Sequence, residues 1–276
     1  PYDYNPLTGQ TVVYPENLLR SPLMVKISNY PRDIRPQAGL SKADIVFEYY
    51  IGAFVNRFLA VFYGENAEWA GPIRSGRLID GQLALNYHAA LVYGGADERV
   101  DNVLEDPDVL GDKAIDTREY SQCPPLCGEE THSLEGLYVD TAGMSEELFL
   151  DGFDSQLKPG ELEKIRFSDE LPSDYQSISV KELEIVFSDL CRSKWVFDES
   201  MQRYFRWEEE DDGSLNYVET VDLLNPEWQI QVENIAILYS DYVVYDVALH
   251  DIRIHYADNA MPGRFFRNGQ MVKGYW

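Results

Sequence analysis

The chain has 276 residues, of which 48 are Asp or Glu and 23 are Lys or Arg, for a formal net charge of −25. Such a field repels phosphate backbones and anionic bilayers, so general nucleic-acid binding and flat adsorption to a membrane are excluded. Hydrophobic residues make up 45% and aromatics 13%, which excludes a disordered chain and allows one large or two ordinary domains.

The first residues, PYDYNPLTGQTVVYP, are rich in Pro, Tyr and Gly and are expected to form an extended lead-in over 1–20. The chain starts at Pro1 without a Met or a signal-like apolar stretch, which reads as a chain whose leader has been removed. No apolar run is long enough for a transmembrane helix. PLMVKIS (22–28), Ile45–Ile51 and NRFLAVFYG (56–64) are predicted strands, nearly continuous in apolar residues as in a sheet covered on both faces. After GPIRSGR (71–77), the spacing of Leu78, Ile79, Leu83 and Tyr87 predicts a helix. AALVYGG (89–95) is a further strand, DERVDNVLED a further helix, and MSEELFLDGF (144–153) a short helix with Ser145 as expected N-cap. This alternation predicts a mixed α/β domain over 21–155.

Residues 154–177 turn polar, with two prolines and several serines, and a linker is expected over 156–177. Short β-type runs separated by turn signals follow, and Asn268-Gly269 is a hairpin signal. A mainly β domain is therefore expected over 178–276, and the fold class is α+β.

The sequence around GPIRSGR poses an electrostatic question. Arg74 and Arg77 flank Ser75, an expected N-cap, at a helix N-terminus where the backbone is already positive. One reading is an anion gripped by Arg74, Arg77 and free backbone N–H groups, with Arg35 and Gln37 from the RPQAGLSKAD turn beside them. The other is an internal ion-pair network with Asp44, Glu48 or Asp80. Pro36 and Gly39 serve turn geometry, and Glu48 and Arg57 are expected to pair across a hairpin. His88, His250 and His255 are expected to be structural.

Cys123 and Cys127, in CPPLC, are close enough to pair with each other, whereas Cys191 is expected to be a small buried side chain. A zinc set of Cys123, Cys127 and His132 lacks a fourth ligand, and no metal is expected. EEEDDG (208–213) lacks the ligand spacing of a calcium loop and reads as a solvated hairpin tip. GxSxG, HExxH, P-loop and GxGxxG motifs are absent, and no cofactor is expected.

NPLTGQ, RPQAGLSKADIVFE (35–48), RFLAVF (57–62), GPIRSGR, THSLEGLYVDT (131–141) and the C-terminal GRFFRNGQMVKGYW together resemble the YerB-like bacterial lipoprotein family. The family is similar to secreted, lipid-anchored proteins with two domains of unknown function. The resemblance implies an extracytoplasmic, envelope location, with membrane attachment only through a lipid anchor that this chain does not contain. That oxidising compartment suits a Cys123–Cys127 disulfide. It also places His132 in a family-like segment, although QCPPLCGEE looks like an addition ahead of it. The family pattern runs on to a last strand, whereas this chain stops at Trp276.

The expected function is a binding protein of the cell envelope. Its anion-recognising cleft would involve Arg35, Gln37, Arg74, Ser75, Arg77, Asp80 and His132, and its partner would be a small anionic ligand or an envelope component. An envelope enzyme, a hydrolase using His132 with Asp80 or Glu48, is the rival expectation. A protein-interaction or assembly factor using the β domain is the third.

Overall fold

The computed structural model describes residues 3–120, 122–128, 136–150, 162, 167–168, 175–210, 212, 214, 216–254 and 261–276. The chain divides into two compact units, Pro1–Tyr49 with Arg57–Phe167, and Tyr50–Asn56 with Ser168–Trp276. The fold is α+β: a mixed α/β first unit and a strand-rich second one. Among the described residues no helix is long and apolar enough to cross a membrane.

The first unit is built on strands β1 (Leu23–Ser28), β2 (Ile45–Gly52), β3 (Val55–Phe62), β4 (Ala90–Tyr93) and β5 (Ala114–Asp116), in the order β2-β3-β1-β4-β5. Every residue of β1 is buried, as its central place requires. It pairs antiparallel with β3, from Leu23 opposite Phe62 to Ser28 opposite Arg57, and parallel with β4. Helix α1 (Leu78–Asn86) precedes β4, and α2 (Glu98–Leu104) makes the crossover to β5, which is parallel to β4. A hairpin of β6 (Leu126–Gly128) and β7 (Leu137–Val139) precedes α3 (Thr141–Leu150). Cys123 and Cys127 are joined by a disulfide, so neither offers a thiolate to a metal.

The lead-in departs from the extended form expected of it. Tyr4 bridges Thr11, a 3-10 turn spans Pro15–Leu19, and Leu7 and Leu18 are buried. The fastening is polar: buried Asn5 donates to Asp44 Oδ1 at 2.7 Å, while Asp44 Oδ2 accepts the N–H groups of Tyr63 and Gly64 at 2.7 and 2.8 Å. Asp44 is thereby committed to the lead-in rather than to the arginines. Ser145 is a further correction. It lies inside α3, with its Oγ donating to the Thr141 carbonyl at 2.8 Å, because the helix already begins at Thr141, upstream of the apolar spacing that suggested its start.

The second unit contains β8 (Ser177–Ser179), β9 (Glu182–Val186), β10 (Arg192–Asp198), β11 (Arg203–Glu209), β12 (Tyr217–Glu219), β13 (Val221–Asp222), β14 (Asn225–Gln229), β15 (Gln231–Val232), β16 (Asn234–Leu238), β17 (Asp241–Val244), β18 (His250–Arg253), β19 (Pro262–Arg267) and β20 (Gln270–Tyr275). One sheet runs β12-β11-β10-β9 with β15 also on β11, and another runs β16-β19-β20-β8. Asn268 and Gly269 both have positive φ, 51° and 68°, as the two-residue turn between β19 and β20 requires. Inward-facing residues alternate along β10 and β11, and Cys191 is buried and free. Most of the expected linker, 156–177, lies outside the described residues.

Glu208 and Glu209 correct the solvated-tip reading of EEEDDG. Both are buried at the end of β11. Glu208 pairs with the buried Arg206 guanidinium at 3.0 Å, which also reaches Thr220 Oγ1 at 2.9 Å, and Glu209 accepts the Arg192 N–H at 3.0 Å. Alternation along β11 turns Glu208 inward with Tyr204 and Arg206, while Glu209 breaks the alternation at the strand end, and each buried carboxylate has a partner.

Burial raises the Asp44 carboxyl to about 6 from 3.8, against the lowering effect of its three hydrogen bonds. The folded protein therefore holds this proton more tightly than the unfolded chain. The contribution of Asp44 makes stability fall as pH rises from about 4 through 6 and stay level above, by at most about 3 kcal/mol. Thermal unfolding of wild type and Asp44→Asn between those pH values isolates it: the difference between the two should change across this window, and parallel profiles would contradict the assignment.

Candidate functional site

GPIRSGR crosses the carboxyl end of the parallel strands as an extended segment. Gly71 and Ala38 exchange two backbone hydrogen bonds, Pro72 O accepts from Ser28 N, Ile73 N donates to Leu137 O, and Arg74 N donates to Lys26 O. Arg74 O then accepts from Gly94 N, and Gly76 N donates to Gly95 O at 2.9 Å. A Cβ on Gly76 would stand 3.0 Å from the Leu104 side chain and the Tyr93 ring, so any larger residue would have to push these side chains aside.

The helix begins later than expected. Its N-cap is Arg77, not Ser75, and Asp80 at the third helical position accepts the Arg77 N–H on Oδ2 at 2.7 Å. The N–H groups of Arg74, Gly76 and Arg77 are thus bound to the protein itself. The reading in which free backbone N–H groups hold an anion does not apply to them.

Asp80 is the carboxylate at the start of the helix. Its side chain has no solvent exposure, nor has that of Lys26, whose Nζ lies 3.0 Å from Asp80 Oδ1. The Tyr49 hydroxyl accepts from Lys26 Nζ at 2.5 Å and donates to Asp80 Oδ1. A carboxylate in the first helical turn is favoured by the helix dipole. With donors from Lys26, Tyr49 and Arg77, it is a satisfied buried charge. Asp80 does sit in an internal ion pair, but with Lys26, a partner not named from the sequence.

Three guanidinium groups lie around this pair. Arg57 stands opposite Ser28 in the β1–β3 register, on the same face of the sheet as Lys26, and its Nη1 donates to Ser75 O at 2.6 Å. The Arg77 side chain is buried and its Nη1 donates to Gly76 O at 2.8 Å. Arg74 and Ser75 are half-buried. Burial holds the Arg57 pKa well below its ordinary value, and the neighbouring charges of Arg77 and Arg74 lower it further, opposed by Asp80 and Tyr49. Burial likewise lowers Lys26 to about 8, with Asp80 opposing and Arg57 and Arg77 assisting.

Of the other predicted residues, Gln37 is fully buried and its Nε2 donates to Ser28 O at 3.2 Å and Asn29 Oδ1 at 2.9 Å. Arg35 is half-buried and reaches Asn29 O at 3.3 Å. Both brace the chain just after β1. His132 and His255 lie outside the described residues. His88 has a positive φ of 52° in the turn after α1, and His250 packs edge-on to Tyr50 at 5.4 Å. Lys26, Tyr49 and the place of Arg57 were missed. A lysine inside the apolar run LMVKIS was the available signal, because such a residue is buried only when paired.

A second charged group closes the other end of the same strand edge. Asp101, Glu105 and Asp116 bring carboxylate oxygens within 4.8 Å of one another. Arg118 already spans two of them, at 2.7 Å to Asp101 and 2.5 Å to Asp116. Gly95, at φ 63°, leaves room for that guanidinium, which a Cβ would overlap.

The family model for the N-terminal domain described as "Protein of unknown function (DUF3048)" matches residues 7–146. The chain belongs to the DUF3048 family. Putative lipoprotein YerB of Bacillus subtilis (strain 168) is 41% identical over 76 residues, 28% of this chain and only 23% of that relative's length. The crystal structure of the YerB protein from Bacillus subtilis matches 99% of this chain and 86% of its own, with a TM-score of 0.79 and 20% identity. At that identity the likeness shows a shared fold. A DUF3048 member thus has a relative named as a lipoprotein, and the family description carries no activity.

Because the unfolded chain keeps its lysine proton to about pH 10.5 and the folded protein only to about 8, the Lys26 contribution to stability rises with pH across that window. The rise is at most about 3 kcal/mol. Urea unfolding of wild type and Lys26→Met at pH 7.5, 9 and 10.5 reads it directly. Wild type should gain on the variant as pH rises, and a constant difference would contradict burial of a charged lysine.

Proposed function

We propose that the protein is an extracytoplasmic, envelope-associated binding protein, lipid-anchored in its native form, whose N-terminal unit takes a small anionic ligand on the guanidinium groups of Arg57, Arg74 and Arg77. The observation that carries this reading is the gathering of three guanidinium groups, Arg57 with its Nη1 on Ser75 O, the buried Arg77 with its Nη1 on Gly76 O, and Arg74 on the same segment as Arg77. Burial and then the charges of Arg77 and Arg74 hold Arg57 low, and an anion seated among them would relieve that repulsion. Asp80, which sets their frame, is itself engaged by Lys26 and Tyr49.

The name of the Bacillus relative supports the envelope location. The carboxyl end of parallel strands is a common place for ligands in α/β sheets, and the arginines lie there. In this reading the ligand meets side chains rather than helix N–H groups, since those of Arg74, Gly76 and Arg77 are bound within the protein. The rival enzyme reading rests on His132, outside the described residues, and no described observation favours it.

Thermal shift followed by titration calorimetry with inorganic phosphate, glycerol phosphate and galacturonate tests the proposal. At least one anion should raise the melting temperature, and Arg74→Ala should weaken its binding by about ten-fold or more with little change in the unliganded stability. If no anion stabilises the protein, or Arg74→Ala binds as wild type does, the reading fails.

A further inference from the structure

The second unit carries an exposed apolar tip made by three chain segments. The end of the β2–β3 hairpin (Tyr50–Asn56, with Ala53 and Phe54 as its turn) is fastened to the loop before β18 by Ala53 N donating to Val247 O at 3.0 Å. It is fastened to the loop before β10 by Ser188 Oγ donating to Phe54 O at 2.5 Å. On this tip Phe54 is 58% exposed, Val244 63% and Val247 78%, with Leu190, Tyr242 and Tyr245 also exposed. Large apolar side chains gathered in this way mark interaction surfaces rather than ordinary solvent-facing positions.

The backbone adds an independent sign. Ala53 and Phe54 both lie in the left-handed region, at φ 50° and 63°. Asn or Gly suits such positions, and a bulky aromatic residue does so only at a cost. The Phe54 ring is not repaid by burial, since it stands in solvent. The strain is nevertheless held by hydrogen bonds at both of its backbone groups, the carbonyl to Ser188 and the N–H to the Tyr50 hydroxyl at 3.3 Å. An aromatic side chain presented on a fastened turn is pre-organised for a partner, which lowers the ordering cost of binding.

Charge selects the partner. The segments 50–56, 187–191 and 241–250 contain three acids, Asp189, Asp241 and Asp246, and no Lys or Arg. An anionic bilayer is repelled by such a rim, and so is a second copy of a chain with a net charge of −25. We propose that this tip is a docking surface for a basic, apolar-faced segment of a partner protein, its apolar residues covering Phe54, Val244 and Val247 and its cations meeting Asp189 and Asp246. This inference is independent of the anion site, which lies in the other unit.

Fluorescence anisotropy of the full chain with two labelled peptides of equal charge, one alternating lysine with leucine and phenylalanine and one alternating lysine with serine, tests it. The apolar peptide should bind about ten-fold or more tightly than the other, and salt should weaken it. Phe54→Asn with Val247→Ser should remove that preference; asparagine suits the left-handed turn, so the fold should survive, which circular dichroism checks. Asp189→Asn with Asp246→Asn should weaken binding of the apolar peptide. The carboxamide oxygen that the second change introduces can still accept the N–H groups of Ala248 and Leu249, which Asp246 Oδ1 accepts in the native loop. Equal binding of the two peptides, a preference untouched by the Phe54 and Val247 changes, or binding untouched by the two aspartate changes would overturn the proposal. Dimerisation in sedimentation, or binding to phosphatidylglycerol vesicles, that is lost in the Phe54 and Val247 variant would overturn the choice of partner.

Discussion

A lysine and an aspartate without solvent exposure, 3.0 Å apart, hold the N-terminal unit to one arrangement. Lys26 comes from the central strand and Asp80 from the first turn of α1, so the pair fixes the helix against the sheet. Tyr49, from β2, closes the group by hydrogen bonding to both. A buried ion pair is seldom a net source of stability, because desolvation of the two charges offsets their attraction. Its value is positional: either charge left alone would be costly, so other placements of the helix are penalised. In this chain it also fixes where GPIRSGR begins its helix, since Asp80 accepts the N–H of Arg77.

The arginines follow from that constraint. Arg77 becomes the N-cap, Arg74 is carried one segment earlier beside β1, and Arg57 reaches across from β3 to the Ser75 carbonyl. The dense positive charge is tolerated because the segment between them is tied down by main-chain bonds to β1, to Leu137 and to the Gly94-Gly95 turn. The result is a cluster of cationic side chains in a chain whose overall charge is strongly negative. In the proposed reading, that contrast gives an anionic ligand one favoured place to settle, since the surrounding surface repels it.

The architecture was largely legible in the sequence because hydrophobic period and turn chemistry are local. Strands at 23–28, 45–52 and 55–62, helices after GPIRSGR and after Gly95, and the Asn268-Gly269 hairpin all follow from patterns of a few residues. What was not legible depends on which segments meet. Ser75 and Ser145 look like caps, yet Asp80 and the earlier start of α3 displaced them. Asp44, Glu48 and Asp80 were equal candidates as partners for the arginines until the fold sent Asp44 to Asn5 and Asp80 to Lys26. Glu208 and Glu209 looked solvated because charge runs usually are, but the strand places them against Arg206 and the Arg192 amide. A lysine in an apolar strand was the strongest local hint, and its partner could only be named once β1 and α1 were adjacent.

The central claim is that Lys26 and Asp80 act as one unit. A double-mutant cycle by urea unfolding at pH 7, with Lys26→Met, Asp80→Asn and the pair combined, measures it most directly. Each single change should cost about 3–5 kcal/mol, because it strands a buried charge. The double variant should cost much less than the sum, leaving a coupling of about 2 kcal/mol or more. Costs that add to within about 0.5 kcal/mol would contradict the account, since independent sites behave in that way.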